Sequence, residues 1–335
     1  MDILDALLSD YEWLSFLEYK KEKGHLNRAD EEALSEFITE KNYLYAAEYI
    51  NNGGLFSLPE AVKINKSNST KKRTVYIFNE TENYIQKFIA WKLLDYDYLF
   101  SDNLYSFRRD MGVKKALTRL IKTENIRNMY SYKLDISDYF NSVNAALILP
   151  ELKEAISDNL RLYKLIEAML LNDKSYYEGE IITKKKGIIA GSPLSGFLAN
   201  LYLSKLDKSF DDIDVLYARY SDDIIVFAEN ENELNSYVNA ITEFLSNKEL
   251  SVNENKVYKS LPGEEWTFLG FSYKDGTVDI SDVSKMKLKK KMRRKARALL
   301  RWKNKKNAEP ERAVRAFIKY FKKRYGVIVD YMGIA

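Results

Sequence analysis

Two adjacent carboxylates interrupt the most strand-prone stretch of the chain. In "LYARYSDDIIVF" (216–227), Asp222 and Asp223 stand between two runs of apolar and aromatic residues. Such residues favour β-structure, so the stretch predicts two strands that meet at the acidic pair. Unpaired carboxylates side by side repel each other, and a fold tolerates them best when a cation lies between them. The stretch therefore predicts a fold that brings positive charge to the end of a β-hairpin.

A second stretch supplies a third carboxylate. In "YKLDISDYFNSV" (132–143), Asp135 ends an apolar strand predicted at 129–136. If this strand pairs with the hairpin, Asp135 can face Asp222 across the ladder, where same-face neighbours stand about 5 Å apart. Two Mg²⁺ ions roughly 3.5–4 Å apart could then be bridged by these oxygens, which are all hard ligands. Each fragment alone is typical of an acidic surface turn, but the two together indicate a two-metal site.

The composition narrows the chemistry of that site. The chain has no cysteine and one histidine, His25, which excludes disulfides and thiolate metal sites and disfavours a zinc site or a histidine general base. His25 lies in a polar stretch, where we expect it at the surface. We find neither an apolar run of the roughly 18–20 residues that span a membrane nor the basic start of a signal peptide. We therefore expect a cytoplasmic protein with no membrane contact.

The net charge of +4 conceals a strong asymmetry. Residues 281–335 carry 19 Lys or Arg and four acidic residues, so the rest of the chain is acidic. Leu288, Met292, Ala296 and Leu299 recur at helical spacing within the basic segment, which predicts a helix with one apolar face. A basic tail on an acidic body is typical of a phosphate-binding segment joined to a metal-binding one. A solvated lysine-rich helix is the alternative.

Hydrophobic periodicity predicts an α+β chain without the regular βαβ alternation of a doubly wound sheet. The stretch 63–73 is predicted to be a loop. The predicted helices include 2–20, 29–50, 82–100, 112–124 and 231–248, and the predicted strands include 74–78, 129–136 and short segments within 257–280.

Seven stretches in one order, across roughly 70–275, resemble the motifs of reverse transcriptases, in particular prokaryotic enzymes of the group II intron type. "YSDD" resembles their Tyr-x-Asp-Asp box, and "LDISDYFNSV" resembles their other metal-binding motif. The remaining five are the fingers motif in "KKRTVYIFNETENYIQKFIAWKLL", the Tyr-x-Phe-Arg motif in "LYSFRRDMGVKKAL", the Gly-Ser-Pro motif in "GIIAGSPLSGFLANLYLSKLD", and the last palm motifs in "ELSVNENKVYKS" and "FLGF".

The resemblance implies a right-hand polymerase, with fingers, a palm built on an antiparallel sheet, and a helical thumb. It implies a helical N-terminal segment at 1–59, interleaved fingers and palm at 60–280, and the basic thumb at 281–335. The expected activity is RNA-directed DNA synthesis by two Mg²⁺ ions, with Mn²⁺ as a substitute. The expected partners are an RNA template, a DNA product and dNTPs, while a protein partner or an oligomer is left open.

The resemblance also assigns roles to the residues that match. Asp135, Asp222 and Asp223 would be catalytic and would bind the metals, with Ile136 as a further metal ligand. Phe140 would pack under the incoming sugar and exclude a 2′-hydroxyl, although an ordinary core position is the alternative. The other residues expected to bind the nucleotide are Lys72 (or Lys71 beside it), Arg73, Ser137, Asp138, Tyr139, Ala190 and Gly191, with the backbone amides of 136–139 cradling the triphosphate. The residues expected to bind nucleic acid are Arg108, Arg109, Lys256, Leu269, Gly270, Lys290, Arg293, Arg294 and Arg297.

The pattern departs from the family at Ala190, where most relatives carry a glutamine that touches the incoming nucleotide. This departure keeps open a second hypothesis, template-free or protein-primed DNA synthesis, for which any of the 25 tyrosines could supply a hydroxyl. A third hypothesis is an RNA-binding scaffold or maturase-like module with a vestigial polymerase. We see no RNase H, endonuclease or retron-type elements, and by elimination we expect a compact enzyme of the phage-defence or unclassified bacterial groups.

Overall fold

The chain folds into helices and three small antiparallel or mixed sheets, so the expected α+β class is confirmed. The computed structural model describes residues 2–24, 26–65, 72–183, 187–307 and 309–320. The predictions for His25 and Lys71 fall on residues outside these ranges. Within the described ranges, every helix is too short or too polar to cross a membrane.

Thirteen α-helices have defined bounds in the described part of the chain, and residues 310–320 are also helical. In chain order they are α1 Ile3–Ala6, α2 Asp10–Glu22, α3 Arg28–Thr39, α4 Leu44–Asn51, α5 Glu80–Lys92, α6 Val113–Lys122, α7 Tyr139–Ser142, α8 Ala145–Ala155, α9 Leu160–Leu171, α10 Ser195–Tyr202, α11 Ser204–Asp211, α12 Glu231–Asn247 and α13 Asp282–Lys306.

Eleven strands accompany them in the same ranges. They are β1 Glu60–Asn65, β2 Lys72–Ile77, β3 Tyr130–Asp135, β4 Lys174–Tyr177, β5 Glu180–Thr183, β6 Tyr217–Tyr220, β7 Asp223–Ala228, β8 Tyr258–Ser260, β9 Trp266–Phe268, β10 Phe271–Lys274 and β11 Thr277–Ile280.

The strands form three sheets. The central sheet has the order β6-β7-β3-β8, and all its neighbours are antiparallel. The outer sheet has the order β2-β1-β4-β5, with a single parallel pair between β1 and β4. The third sheet has the order β11-β10-β9 and leads directly into α13. The core strand β7 is buried along nearly its whole length, which explains its unbroken apolar sequence.

The N-terminal helices pack on the helix that follows β2. Trp13 of α2 is fully buried, its ring stacks on Tyr43 at 4.6 Å between centroids, and it lies 4.5 Å from the ring of Phe88 in α5. Buried aromatic contacts of this kind carry large apolar areas. The N-terminal segment therefore forms one core with α5.

The structure corrects three predicted elements. The predicted helix 2–20 is two helices because Ser9 caps α2, its side chain accepting a hydrogen bond from the N–H of Glu12. The predicted helix 29–50 is also divided, since Lys41 adopts a left-handed conformation (φ +54°) after α3. The predicted loop at 63–73 is partly strand, because β1 continues to Asn65 while it pairs with β2.

Candidate active site

The central sheet brings the three predicted carboxylates together. Asp135, the last residue of β3, lies directly opposite Asp223, the first residue of β7. Asp222 precedes β7 in the hairpin turn, and its carbonyl accepts a hydrogen bond from the N–H of Ile136 at 3.0 Å. The expected ladder partner of Asp135 was Asp222. The observed partner is Asp223, one residue later, because β6 ends at Tyr220 and the turn consists of Ser221 and Asp222.

Two lysines balance part of this negative charge. Lys256 Nζ lies 2.7 Å from Asp135 Oδ2, and Lys133 Nζ lies 3.4 Å from Asp223 Oδ1. Burial and the charge of Asp135 raise the pKa of Asp222 to about 6. Burial also raises the pKa of Asp223, although Lys133 opposes this effect. Three carboxylates with two ammonium groups leave the cluster short of positive charge.

Among the residues that the structure describes, no three carboxylates are arranged to hold a metal ion as they stand. The ammonium group of Lys256 contacts the carboxylate of Asp135, which is expected to bind a metal. The Lys256 side chain is 54% exposed, so it is able to withdraw. Ile136 and Val252 are opposite each other as a non-hydrogen-bonded antiparallel pair. The backbone groups of Ile136 therefore point away from Val252 and towards Asp222, whose carbonyl accepts the Ile136 N–H. The hard-oxygen donors and the unbalanced charge fit divalent cations once Lys256 moves away.

The Gly-Ser-Pro loop joins the site to the outer sheet. The carbonyl of Ala190 accepts a hydrogen bond of 2.8 Å from the N–H of Tyr76 in β2. Gly191 follows with φ +110°, and a Cβ there would stand 2.8 Å from the Tyr76 carbonyl oxygen. Only glycine permits this close approach. Ala190 and Gly191 are thereby held beside the strand that begins with the exposed Lys72 and Arg73.

Phe140 lies at the start of α7, next to the same loop. Its carbonyl accepts a hydrogen bond from the N–H of Ile188 at 2.9 Å, and a Cβ on Gly187 would meet that carbonyl at 2.7 Å. The half-buried ring of Phe140 meets the ring of Phe107 edge-on at 6.3 Å. Phe140 therefore contacts the Gly-Ser-Pro loop through its backbone carbonyl and the Tyr-x-Phe-Arg segment through its ring.

The turn after β3 contributes fewer backbone donors than expected. The N–H of Ile136 is used by Asp222, and the N–H of Ser137 donates to Ser251 at 2.8 Å. The hydroxyl of Tyr139 donates to the Ala199 carbonyl at 2.5 Å, so this side chain belongs to the core. The N–H groups of Ile136 and Ser137 are thus committed to other bonds, and we withdraw these two amides from the proposed triphosphate cradle.

Arg108 is held inside the protein. Its guanidinium donates to both carboxylate oxygens of Asp97, at 2.8 and 2.9 Å, and to the Leu104 carbonyl at 3.1 Å, and its side chain is only 4% exposed. Such a bidentate buried contact is structural in character. We therefore withdraw Arg108 from the residues proposed to contact nucleic acid. Arg109 is exposed and pairs with Asp95 at 2.8 Å, so the prediction for Arg109 stands.

The remaining residues predicted to bind nucleic acid lie in the third sheet and in α13. Leu269 and Gly270 form the tight turn between β9 and β10 in left-handed conformations, and the Gly270 carbonyl accepts from the N–H of Ser281, the N-cap of α13. The glycine turn is thus tied to the basic helix. Lys290, Arg293, Arg294 and Arg297 are exposed on α13 and, with Leu300 and Arg301, line an open groove of about 740 Å³.

Sequence reasoning missed a buried polar group beneath the acidic turn. It consists of Ser106, Asn200, Asp207 and Arg219, all less than 1% exposed. The sequence signal was an arginine inside an otherwise apolar strand, which must find a buried partner.

The fold is that of a right-hand polymerase, with the antiparallel central sheet as its palm. It is similar to apo telomerase from Candida tropicalis truncated from its C-terminal domain (TM-score 0.53, 13% identity, 68% of this chain and 55% of that chain). It is also similar to telomerase from Candida albicans in complex with the TWJ fragment of telomeric RNA (TM-score 0.51, 14% identity, 82% of this chain and 55% of that chain).

The chain belongs to the reverse transcriptase (RNA-dependent DNA polymerase) family, which residues 64–273 match. It is 26% identical over 215 residues to the putative COX1/OXI3 intron 2 protein of Saccharomyces cerevisiae, covering 62% of this chain and 24% of that protein. It is 25% identical over 235 residues to the group II intron-encoded protein LtrA of Lactococcus lactis subsp. cremoris, covering 68% of this chain and 38% of that protein. The expected group II intron-like membership is confirmed, although the chain spans less than two fifths of the length of either relative.

Proposed function

We propose that the protein is an RNA-directed DNA polymerase whose active site is Asp135, Asp222 and Asp223. The observation that carries this proposal is the pairing of Asp135 with Asp223 at one end of the palm sheet, with the desolvated Asp222 beside them. A protein that only binds nucleic acid gains nothing from three carboxylates where phosphate must approach, because they repel it. The group II intron-encoded relatives support the same activity.

In this proposal, Asp135 and Asp222 would be the main residues to hold two Mg²⁺ ions, and Asp223 and the Ile136 carbonyl would assist them. When bound, the two ions would activate the primer hydroxyl and neutralise the charge of the departing pyrophosphate. Lys72 and Arg73 hold the triphosphate from β2, since guanidinium geometry suits phosphate oxygens. Phe140 excludes the 2′-hydroxyl, and the cations of α13 hold the backbone of the template–product duplex.

The test is primer extension on an RNA template with Mg²⁺ and four dNTPs. Asp222→Asn keeps the size of the side chain and removes its charge, and we expect it to abolish extension. Asp212→Asn, an exposed position at the end of α11, is the matched control and should extend like the unmodified protein. Extension by Asp222→Asn at the unmodified rate would reject the active-site assignment.

The template-free or protein-primed alternative keeps one observation in its favour, which is that Ala190 contributes no side-chain amide beside the nucleotide. Leaving the RNA out of the same assay distinguishes the two. Product formed without RNA, and lost in Asp222→Asn, would favour the alternative. A cytoplasmic location and a role in antiviral defence stay predictions.

A further inference from the structure

Ser221, the residue before the acidic pair, has a left-handed backbone with φ +60°. A two-residue turn between antiparallel strands, here between Tyr220 and Asp223, favours this conformation at its first residue. The conformation is uncommon for a residue with a side chain, so contacts with the surroundings are needed to hold it. Because Asp222 follows directly, the conformation of Ser221 decides where the carboxylate of Asp222 points. What holds Ser221 therefore bears on the metal site.

Two buried side chains hold Ser221 from both sides of its Cα. Its N–H donates to Ser106 Oγ at 2.8 Å, and its carbonyl accepts from Arg219 Nη1 at 3.2 Å. A third bond, from the N–H of Ile136 to the carbonyl of Asp222, fixes the next peptide. Three of the four backbone N–H and C=O groups of Ser221 and Asp222 are thus fixed by bonds to partners outside the turn.

Both side chains are themselves fixed. The Ser106 hydroxyl also contacts Asn200 Oδ1 at 3.2 Å, while Asn200 Nδ2 donates to the Ser106 carbonyl at 2.8 Å. The guanidinium of Arg219 binds the carboxylate of Asp207 through two bonds, of 2.8 and 2.5 Å, and Tyr217 donates its hydroxyl to the same carboxylate. Burial alone would lower the pKa of Arg219, but Asp207 outweighs it and the pKa is raised. Arg219 is therefore a permanent, immobile cation.

The backbone explains how Ser106 reaches the turn. The N–H of Arg219 donates to the Asn103 carbonyl, and the N–H of Tyr105 donates to the Arg219 carbonyl, each at 2.9 Å. The segment from Asn103 to Tyr105 therefore runs parallel to β6 at the free edge of the palm sheet. Ser106, the next residue, arrives level with Ser221.

We propose that Ser106 and Arg219 are positioning residues that hold Ser221 in its left-handed conformation and thereby set the Asp222 carboxylate for cation binding. This inference deepens the proposed function and rests on it. The bonds of Ser106 and Arg219 end on the N–H and the carbonyl of Ser221, the two groups that fix its φ and ψ. This distinguishes them from residues that only stabilise the core, because Ser221 directly precedes Asp222.

The test uses Ser106→Ala, which removes one hydroxyl. Mn²⁺ binding to the purified full-length chain is measured by the electron paramagnetic resonance signal of free Mn²⁺, a readout that needs no catalysis. Ser204→Ala is the matched control, because Ser204 is also buried and its hydroxyl also bonds to a backbone group, the Leu201 carbonyl, away from the turn. Asp222→Asn defines the signal of the site itself.

We expect the dissociation constant for Mn²⁺ to rise at least fivefold in Ser106→Ala and to change less than twofold in Ser204→Ala. In primer extension, kcat should fall in Ser106→Ala while KM for dNTPs stays within twofold. An unchanged dissociation constant in Ser106→Ala, an equal change in Ser204→Ala, or Mn²⁺ binding that is insensitive to Asp222→Asn would each overturn the inference. A protein that binds Mn²⁺ as expected but extends no primer would instead contradict the proposed polymerase activity.

Discussion

Gly191 offers a quantitative test of how the Gly-Ser-Pro loop is joined to β2 of the outer sheet. Replacement by alanine forces a side chain into φ +110°, and its Cβ would stand 2.8 Å from the Tyr76 carbonyl oxygen and 3.2 Å from the Tyr76 nitrogen. The conformation costs about 1–2 kcal/mol. Displacing β2 weakens the bond between Tyr76 and Ala190, worth about 1 kcal/mol. We therefore expect Gly191→Ala to lower the free energy of unfolding by about 2–3 kcal/mol.

The matched control is Gly276→Ala, which isolates the conformational cost. Gly276 has φ +79° in the turn between β10 and β11, and nothing lies within 4 Å of the position of its Cβ. Urea unfolding at constant m-value should show a loss of only about 1–2 kcal/mol there. Gly191→Ala should also raise KM for dNTPs, because β2 carries Arg73. Equal losses of stability in the two variants would refute the reasoning that the loop and β2 are in obligatory contact.

Three further outcomes are expected. Phe140→Ala should raise ribonucleotide incorporation at least tenfold in primer extension, whereas Phe140→Tyr, which keeps the ring, should not. Equal discrimination between ribonucleotides and deoxynucleotides in both variants would show that Phe140 is an ordinary core residue. Lys256→Met should bind Mn²⁺ more tightly than the unmodified protein in a direct titration, because it removes the cation that competes for Asp135; weaker binding would show that the lysine does not compete with the metal. Arg293→Gln should reduce the slope of log affinity for an RNA–DNA duplex against log salt by about 1, with Arg28→Gln on exposed α3 as the control; an unchanged slope would remove Arg293 from the duplex contact.

The palm could be predicted from the sequence because its strands have a strong local signal. The strand predicted at 129–136 and the helix predicted at 231–248 match β3 and α12 to within a residue or two. Their apolar residues are continuous or regularly spaced, and the elements are buried accordingly. The grouping of Asp135 with the acidic pair also followed from strand ends alone.

The errors arose where tertiary contacts outweighed the local pattern. β1 continues through polar residues to Asn65 because β2 pairs with it there, a contact invisible in the sequence of either strand. The division of the N-terminal helices depended on the cap at Ser9 and the left-handed Lys41, which hydrophobic spacing does not report. Arg108 looked like a cation for nucleic acid, yet Asp97, eleven residues earlier, binds it inside the protein.

The buried group under the acidic turn shows the same limit at the site itself. An arginine at position 219, in a strand that is otherwise apolar, predicts some buried partner. Its identity as Asp207 depends on how α11 packs against β6, and the contact of Ser106 with Ser221 depends on a parallel edge segment more than 100 residues earlier in the chain. Hydrophobic periodicity in the sequence predicts neither the contact between Arg219 and Asp207 nor that between Ser106 and Ser221.

If the site copies RNA into DNA, the sequence of the product must follow the sequence of the template. This is tested by sequencing the products made on two RNA templates of different sequence. The reaction uses one primer, Mg²⁺ and all four dNTPs, with Asp222→Asn in parallel. We expect each product to be the complement of its own template, and we expect Asp222→Asn to make no product. The same product sequence on both templates, or templated product from Asp222→Asn, would contradict this expectation.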